Sequence, residues 1–260
     1  MIPSLLVAVV TTVIAFQAAP PSSALNGFAN TPAQTSANSP APAPAQLTSE
    51  QRADILMARK MYREAIDMYK QAPDSATIEN KIGIAYHQLV ELDMAKKYYE
   101  RATKLDHNYA EAINNLGTVF YARKSFRRAI GEYKKALRIT PESASILSNL
   151  GTAYFARKNY ELASEMYQKA IALDPEVFER RSSQGVLLQD RNVEERAKFH
   201  YYLAKTYAKA GKNDLALLYI RKSLEEGFKE RNKFQQEPEF AALQDDPEFK
   251  KLMATEPKVL

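Results

Sequence analysis

Apolar and small residues follow a two-block rhythm through the middle of the chain. In "INNLGTVFYARKSFRRAIGEYKKALRITP", from Ile113 to Pro141, they occupy Leu116, Gly117 and Phe120, and then Ala129, Tyr133 and Ala136. Steps of three and four residues place each set on one face of a helix, so the stretch predicts two amphipathic helices joined by a short turn around Lys124 and Ser125. Pro141 stops the second helix because it has no N–H to give. Gly117 and Ala129 let two antiparallel helices approach closely, and the Tyr133 ring fills the space left beside the following helix.

The same six positions recur as Ile82, Gly83, Tyr86, Ala95, Tyr99 and Ala102, and as Leu150, Gly151, Tyr154, Ala163, Tyr167 and Ala170, followed by Pro175. Ala95, Ala129 and Ala163 stand 34 residues apart. A lone helix pair cannot bury both of its faces, so such units stack. A weaker earlier unit carries Leu56, Ala65, Tyr69 and Ala72 behind Thr48 and Gln51, which form a capping-box pattern; a last unit carries Leu203, Ala204, Tyr207, Ala216, Ile220 and Ser223. The reading is all-α, with about five helix hairpins.

The order Leu-Gly-x-x-Tyr/Phe, then Ala-x-x-x-Tyr-x-x-Ala, then Pro resembles the tetratricopeptide repeat. It extends over residues 47–230, with units near 47–75, 76–109, 110–143, 144–177 and 197–230. The first and last units depart from it: their first helices lack the glycine, and Phe228 stands where the terminal Pro belongs. The resemblance implies a right-handed superhelical solenoid whose concave groove binds peptides or partner proteins.

Two irregularities interrupt the array. An inserted loop, 178–196, separates the fourth and fifth units, and Asn192 with Glu195 at its end offers a cap for a lengthened helix through "VEERAKFHYYLAKTYAKAG". In the last segment, 231–260, "EPEFAAL" and "DPEFKKL" each place Pro behind an acidic residue at a helix start. Their Phe240, Leu243, Phe249 and Leu252 are expected to cover the open apolar face of the last hairpin, giving a C-terminal helical cap and tail.

The first part of the chain has another character, since residues 1–49 contain no Asp, Glu, Lys or Arg. The apolar run from Leu5 to Phe16, followed by Ser22-Ser23-Ala24, reads as a secretory signal over residues 1–24, with an uncleaved anchor as the other reading. Residues 25–46 read as a disordered Pro/Ala/Ser linker, short of the apolar area that folding needs. The chain has no cysteine, which excludes disulfides, thiolate metal sites and a thiol nucleophile. The signal gives an expected location outside the cytoplasm, periplasmic or secreted, and the lack of any N-x-Ser/Thr sequon leans toward a bacterial envelope over a eukaryotic secretory route. Of the net charge of +5, much is concentrated in residues 110–143, read as a solvated outer helix face with no nucleic-acid partner.

The sequence offers no constellation for chemistry. His87, His107 and His200 lack metal-ligand spacing, no two glycines suit a phosphate loop, and no carboxylate pair is marked as catalytic. The expectation is therefore a protein that is not an enzyme, with no cofactor and no metal.

Projection at 100° per residue leaves one stripe of each first helix opposite its apolar side. It contributes Lys81 from the second unit, Asn115 and Thr118 from the third, Asn149 and Thr152 from the fourth, and Lys198, Tyr202, Lys205 and Lys209 from the last. In a tetratricopeptide superhelix these residues would line the groove. An Asn amide both donates and accepts, so Asn115 and Asn149 are expected to hold a peptide backbone and to owe nothing to stability. Three ammonium groups on one stripe repel unless an anion answers them. The resulting reading is a scaffold of the cell envelope that holds an extended protein or peptide segment. The alternative is an accessory protein that binds an anionic envelope polysaccharide.

Overall fold

The computed structural model describes residues 47–179 and 192–255. The chain divides into two units, Met1–Ala45 and Gln46–Leu260, and all described residues belong to the second. The expected signal, the linker, most of the inserted loop and the last five residues lie outside the described residues.

The described part is an all-α solenoid of five helix hairpins. These are α1 (Ser49–Ala58) with α2 (Tyr62–Tyr69), α3 (Ala76–Gln88) with α4 (Leu92–Leu105), α5 (Ala110–Ala122) with α6 (Phe126–Ile139), α7 (Ala144–Ala156) with α8 (Tyr160–Leu173), and α9 (Val193–Lys209) with α10 (Asn213–Glu225). Each helix packs on its partner, and each second helix packs on the next first helix. The first helices also touch one another, α3 against α5 and α5 against α7, and together they form an inner layer.

Within the central hairpins one contact sets the spacing. A Cβ built on Gly83 would stand 2.6 Å from the Tyr99 ring, one on Gly117 2.7 Å from Tyr133, and one on Gly151 2.5 Å from Tyr167. Only a hydrogen fits there, so each tyrosine lies against the backbone of the facing helix. Tyr99, Tyr133 and Tyr167 are buried, as are Ala95, Ala129 and Ala163 beside them.

The turns inside the hairpins repeat as well. Lys60, Val90, Lys124 and Lys158 adopt φ values of 57–61°, and Gly211 takes the equivalent place at 68°. This left-handed residue lets the chain reverse within three residues. Val90 occupies it at the greatest cost, because a β-branched side chain is strained there and its apolar side chain is 74% exposed.

Caps fix several helix starts. Thr48 and Gln51 form the full capping box of α1, and Asn192 Oδ1 accepts from Glu195 N at 2.7 Å to begin α9. Ala72, read from the sequence as the last position of a helical stripe, lies beyond α2, which ends at Tyr69. Pro73 disfavours helical backbone at the residue before it, which shortens this unit.

The last hairpin is closed by α11 (Lys233–Gln236), a 3₁₀ helix (Pro238–Leu243) and α12 (Pro247–Ala254). The 3₁₀ helix packs on α9 and α12 packs on α10. Phe234, Phe240, Leu243 and Phe249 are buried, and Phe228 stacks on Tyr201 with ring centroids 4.6 Å apart. This apolar plug is the C-terminal cap that the exposed face of a terminal repeat requires.

The glycine–tyrosine contact has a direct consequence. Gly117→Ala should destabilise the protein by about 1–3 kcal/mol, despite the better helix propensity of alanine, because the Tyr133 ring must move off its seat. Urea unfolding measures this, and unchanged or raised stability would show that the contact is not limiting.

Candidate functional site

The stripe expected to face a partner lies on the inner layer, and most of it is engaged with the protein itself. Asn115 is 3% exposed and Asn149 2%. Asn115 Nδ2 donates to Asn80 Oδ1 at 3.0 Å, and Asn149 Nδ2 donates to Asn114 Oδ1 at 3.0 Å. Asn114 Nδ2 donates in turn to Asn115 Oδ1 at 3.4 Å. The result is one relay of amides, Asn149 to Asn114 to Asn115 to Asn80, that ties α7 to α5 and α5 to α3. The expectation that Asn115 and Asn149 present free amides to a peptide is therefore corrected. The face opposite a first helix's own partner is where the neighbouring first helix packs.

Thr118 and Thr152 share this burial, at 7% and 4% exposure. Thr118 Oγ1 donates to Asn114 O at 3.2 Å and accepts from the Tyr133 phenol at 3.3 Å, and Thr152 Oγ1 donates to Ser148 O at 2.8 Å. Both hydroxyls serve the stacking of their own helices.

Two of the four expected lysines, Lys81 and Lys205, are answered by carboxylates from within the chain. Lys81 Nζ stands 2.8 Å from Glu50 Oε1 and 2.8 Å from Asp54 Oδ1, both on α1. Burial works against its charge, but these two carboxylates outweigh it and hold the ammonium above its ordinary range. Asp54 also accepts from the Tyr69 phenol at 2.6 Å. Lys205 stands 3.0 Å from Glu237 and 3.4 Å from Glu239, at the start of the 3₁₀ helix. There too burial opposes the charge and the two carboxylates prevail.

The aromatic part of the stripe is more open. The half-buried Tyr202 stacks on Tyr160, with centroids 4.9 Å apart and planes 13° apart, and the Lys198 ammonium lies 4.2 Å from the Tyr160 centroid. Lys209 is exposed at the end of α9.

Three relevant residues escaped the sequence reading. Asn80 and Asn114 complete the relay, and Tyr109 sits at the start of α5, where Asn80 Nδ2 donates to its phenol oxygen at 3.3 Å and to Glu111 Oε1 at 3.2 Å. A signal was present: Asn80 and Asn114 stand 34 residues apart, as do Asn115 and Asn149, so two asparagine positions recur at the repeat length.

Between α5 and α7 the inner layer holds an open recess of about 590 Å³, lined by Glu111, Asn114, Pro141, Glu142, Ser143 and Ser145 among others. The donors and acceptors on its wall suit a peptide's backbone and polar side chains. Among the described residues no group of His, Asp or Glu is arranged to hold a metal, and no helix is long and apolar enough to cross a membrane.

One carboxyl outside the recess is poised to titrate. Glu79 on α3 is buried and pairs with Arg101 of α4 at 2.8 Å. Burial pushes it up, Arg101 pulls it down and Asp74 pushes it up again, leaving it at about 7.

Comparison with protein families picks out the central repeats. Tetratricopeptide repeat family models match residues 80–109 and 144–177, and a TPR repeat model matches residues 117–156. The uncharacterized protein ycf37 of Porphyra purpurea is 34% identical over 88 residues, which span 29% of this chain. The match covers 51% of that curated relative, so the chain spans about half its length. Among solved structures, YrrB, described as a TPR protein with an unusual peptide-binding site, shares 24% identity over 49% of this chain and 68% of its own, with a TM-score of 0.44. MamA shares 21% identity over 67% of this chain and 93% of its own, with a TM-score of 0.47.

Two outcomes test the site as described. Replacing Asn115 and Asn149 together by alanine should cost at least about 2 kcal/mol in urea unfolding, because Asn80 and Asn114 are left buried without their donors. An unchanged midpoint would return these amides to the surface. Glu79 holds its proton to higher pH when folded, so its own contribution to stability should fall as pH rises from about 4.5 to about 7 and then level off. The stability of the wild type relative to Glu79→Gln should fall over that window, and a difference between the two proteins that is independent of pH would contradict the assignment.

Proposed function

The chain is a tetratricopeptide-repeat protein, and we propose that its inner layer holds an extended segment of a partner polypeptide between the third and fourth hairpins. Tetratricopeptide-repeat proteins bind protein or peptide partners, and the fold makes this one a protein–protein interaction scaffold. The observation that carries the finer reading is the recess between α5 and α7. It lies on the inner layer beside the bonded amides of Asn115 and Asn149, and Glu111, Ser143 and Ser145 stand on its wall. Tyr202 and Lys198 extend the accessible surface along α9.

The polysaccharide reading is the weaker one, because Lys205, the middle lysine of its row on α9, already stands between Glu237 and Glu239 and a polyanion there would compete with both. The proposal assigns the protein no catalysis of its own; its work is to hold and position. Its place outside the cytoplasm belongs to the same proposal and is supported by the apolar run from Leu5 to Phe16 with the small residues Ser22 to Ala24 behind it.

A photo-crosslinking residue at exposed Glu142, on the rim of the recess, should capture a discrete partner in cells. The same residue at exposed Lys135, on α6, should capture none. Identical patterns from the two positions, or no adduct from Glu142, would refute the placement.

A further inference from the structure

We propose that the recess between α5 and α7 is a subsite for a tyrosine side chain of the partner, a refinement that rests on reading the inner layer as the partner surface. At the preceding junction the protein fills the equivalent space itself, with Tyr109.

Residues 109 and 143 occupy the same place, immediately before α5 and α7. At the first junction the residue is Tyr109, whose phenol oxygen accepts from Asn80 Nδ2 at 3.3 Å. Asn114 is the counterpart of Asn80, 34 residues on, and Ser145 is the counterpart of Glu111. At the second junction, however, the residue is Ser143. Its short side chain turns to local partners, accepting from Ile146 N at 3.4 Å and lying 3.1 Å from Ser145 Oγ. The volume that a phenol ring takes up at one junction is thus open at the next, as one part of the recess of about 590 Å³.

The polar end of that volume is also in place. Asn114 is buried at 3% exposure and lines the recess. Its Nδ2 donates to Asn115 Oδ1 at 3.4 Å, which uses one of its two hydrogens and leaves the other for a phenol oxygen. At the preceding junction the Asn80 amide likewise makes two donations, one of them to the Tyr109 phenol and the other to Glu111. A phenylalanine would fill the space without answering Asn114. A phosphotyrosine would bring charge against Glu111 and Glu142. The chemistry therefore selects the neutral phenol.

The test uses the full chain, isotopically labelled, and N-acetyl-tyrosinamide as the probe. Its backbone amide resonances at Ala110, Ser145 and Ile146 should shift saturably. N-acetyl-phenylalaninamide should bind about fivefold more weakly, the worth of one hydrogen bond. Ser143→Tyr gives this junction the side chain that its neighbour already has, and should abolish the shifts. Tyr109→Ser should create a second set around Thr77 and Asn80, a gain that unfolding cannot imitate. No shift in the wild type, equal binding of the two amides, or shifts that persist in Ser143→Tyr would overturn the proposal. Should these fail while Glu142 still crosslinks a partner, the scaffold reading stands and the tyrosine subsite falls.

Discussion

The seating of a tyrosine ring on a glycine backbone governs this structure. Gly83, Gly117 and Gly151 each admit a ring from the facing helix where a methyl group would collide. That contact fixes how deeply each second helix lies against its first, and through it the distance between successive first helices. Once the first helices are close enough to touch, an amide on one can reach an amide 35 residues earlier. The polar relay of the inner layer is thus a consequence of an apolar contact made on the other side of the same helices.

The array meets a second constraint at its ends, where a repeat has no neighbour to cover it. At the N-terminal end, α1 supplies Glu50 and Asp54 to Lys81, and a capping box to itself. At the C-terminal end, the segment from Phe228 to Leu252 covers α9 and α10 with aromatic side chains and brings Glu237 and Glu239 to Lys205. Arg221 of α10 pairs with Glu248 of α12 in the same manner. The two acidic-Pro-Glu-Phe stretches of the tail thus each contribute a buried ring and a carboxylate that meets a basic residue of the last hairpin.

The apolar half of this architecture was legible in the sequence because stacking allows few substitutes. Glycine under a ring, alanine at a close crossing and tyrosine in the gap recur every 34 residues, and the hairpins follow from them. The polar half was legible only as a recurrence. Projecting Leu116, Gly117 and Phe120 onto one side of α5 correctly placed Asn115 on the other, but α5 is buried on both. A projection of one helix cannot tell a surface that faces solvent from one that faces the next repeat. The answer to Lys205 was hidden for a related reason, since its carboxylates lie more than 30 residues downstream and only the fold brings them back. The recess depends on a single exchange, Tyr109 for Ser143, which carries meaning only once Asn80 and Asn114 are seen to be equivalent.

The central claim is that the amides of the inner layer bind one another, and that between α5 and α7 a partner is therefore left with the recess. A double-mutant cycle between Asn114 and Asn149 tests it most directly, with each replaced by alanine singly and together and stability read from urea unfolding. The account predicts a coupling of about 0.5–1.5 kcal/mol, the net worth of a hydrogen bond between them. Additive effects, with no coupling, would mean that the two side chains do not meet and that the inner layer presents them to a partner after all.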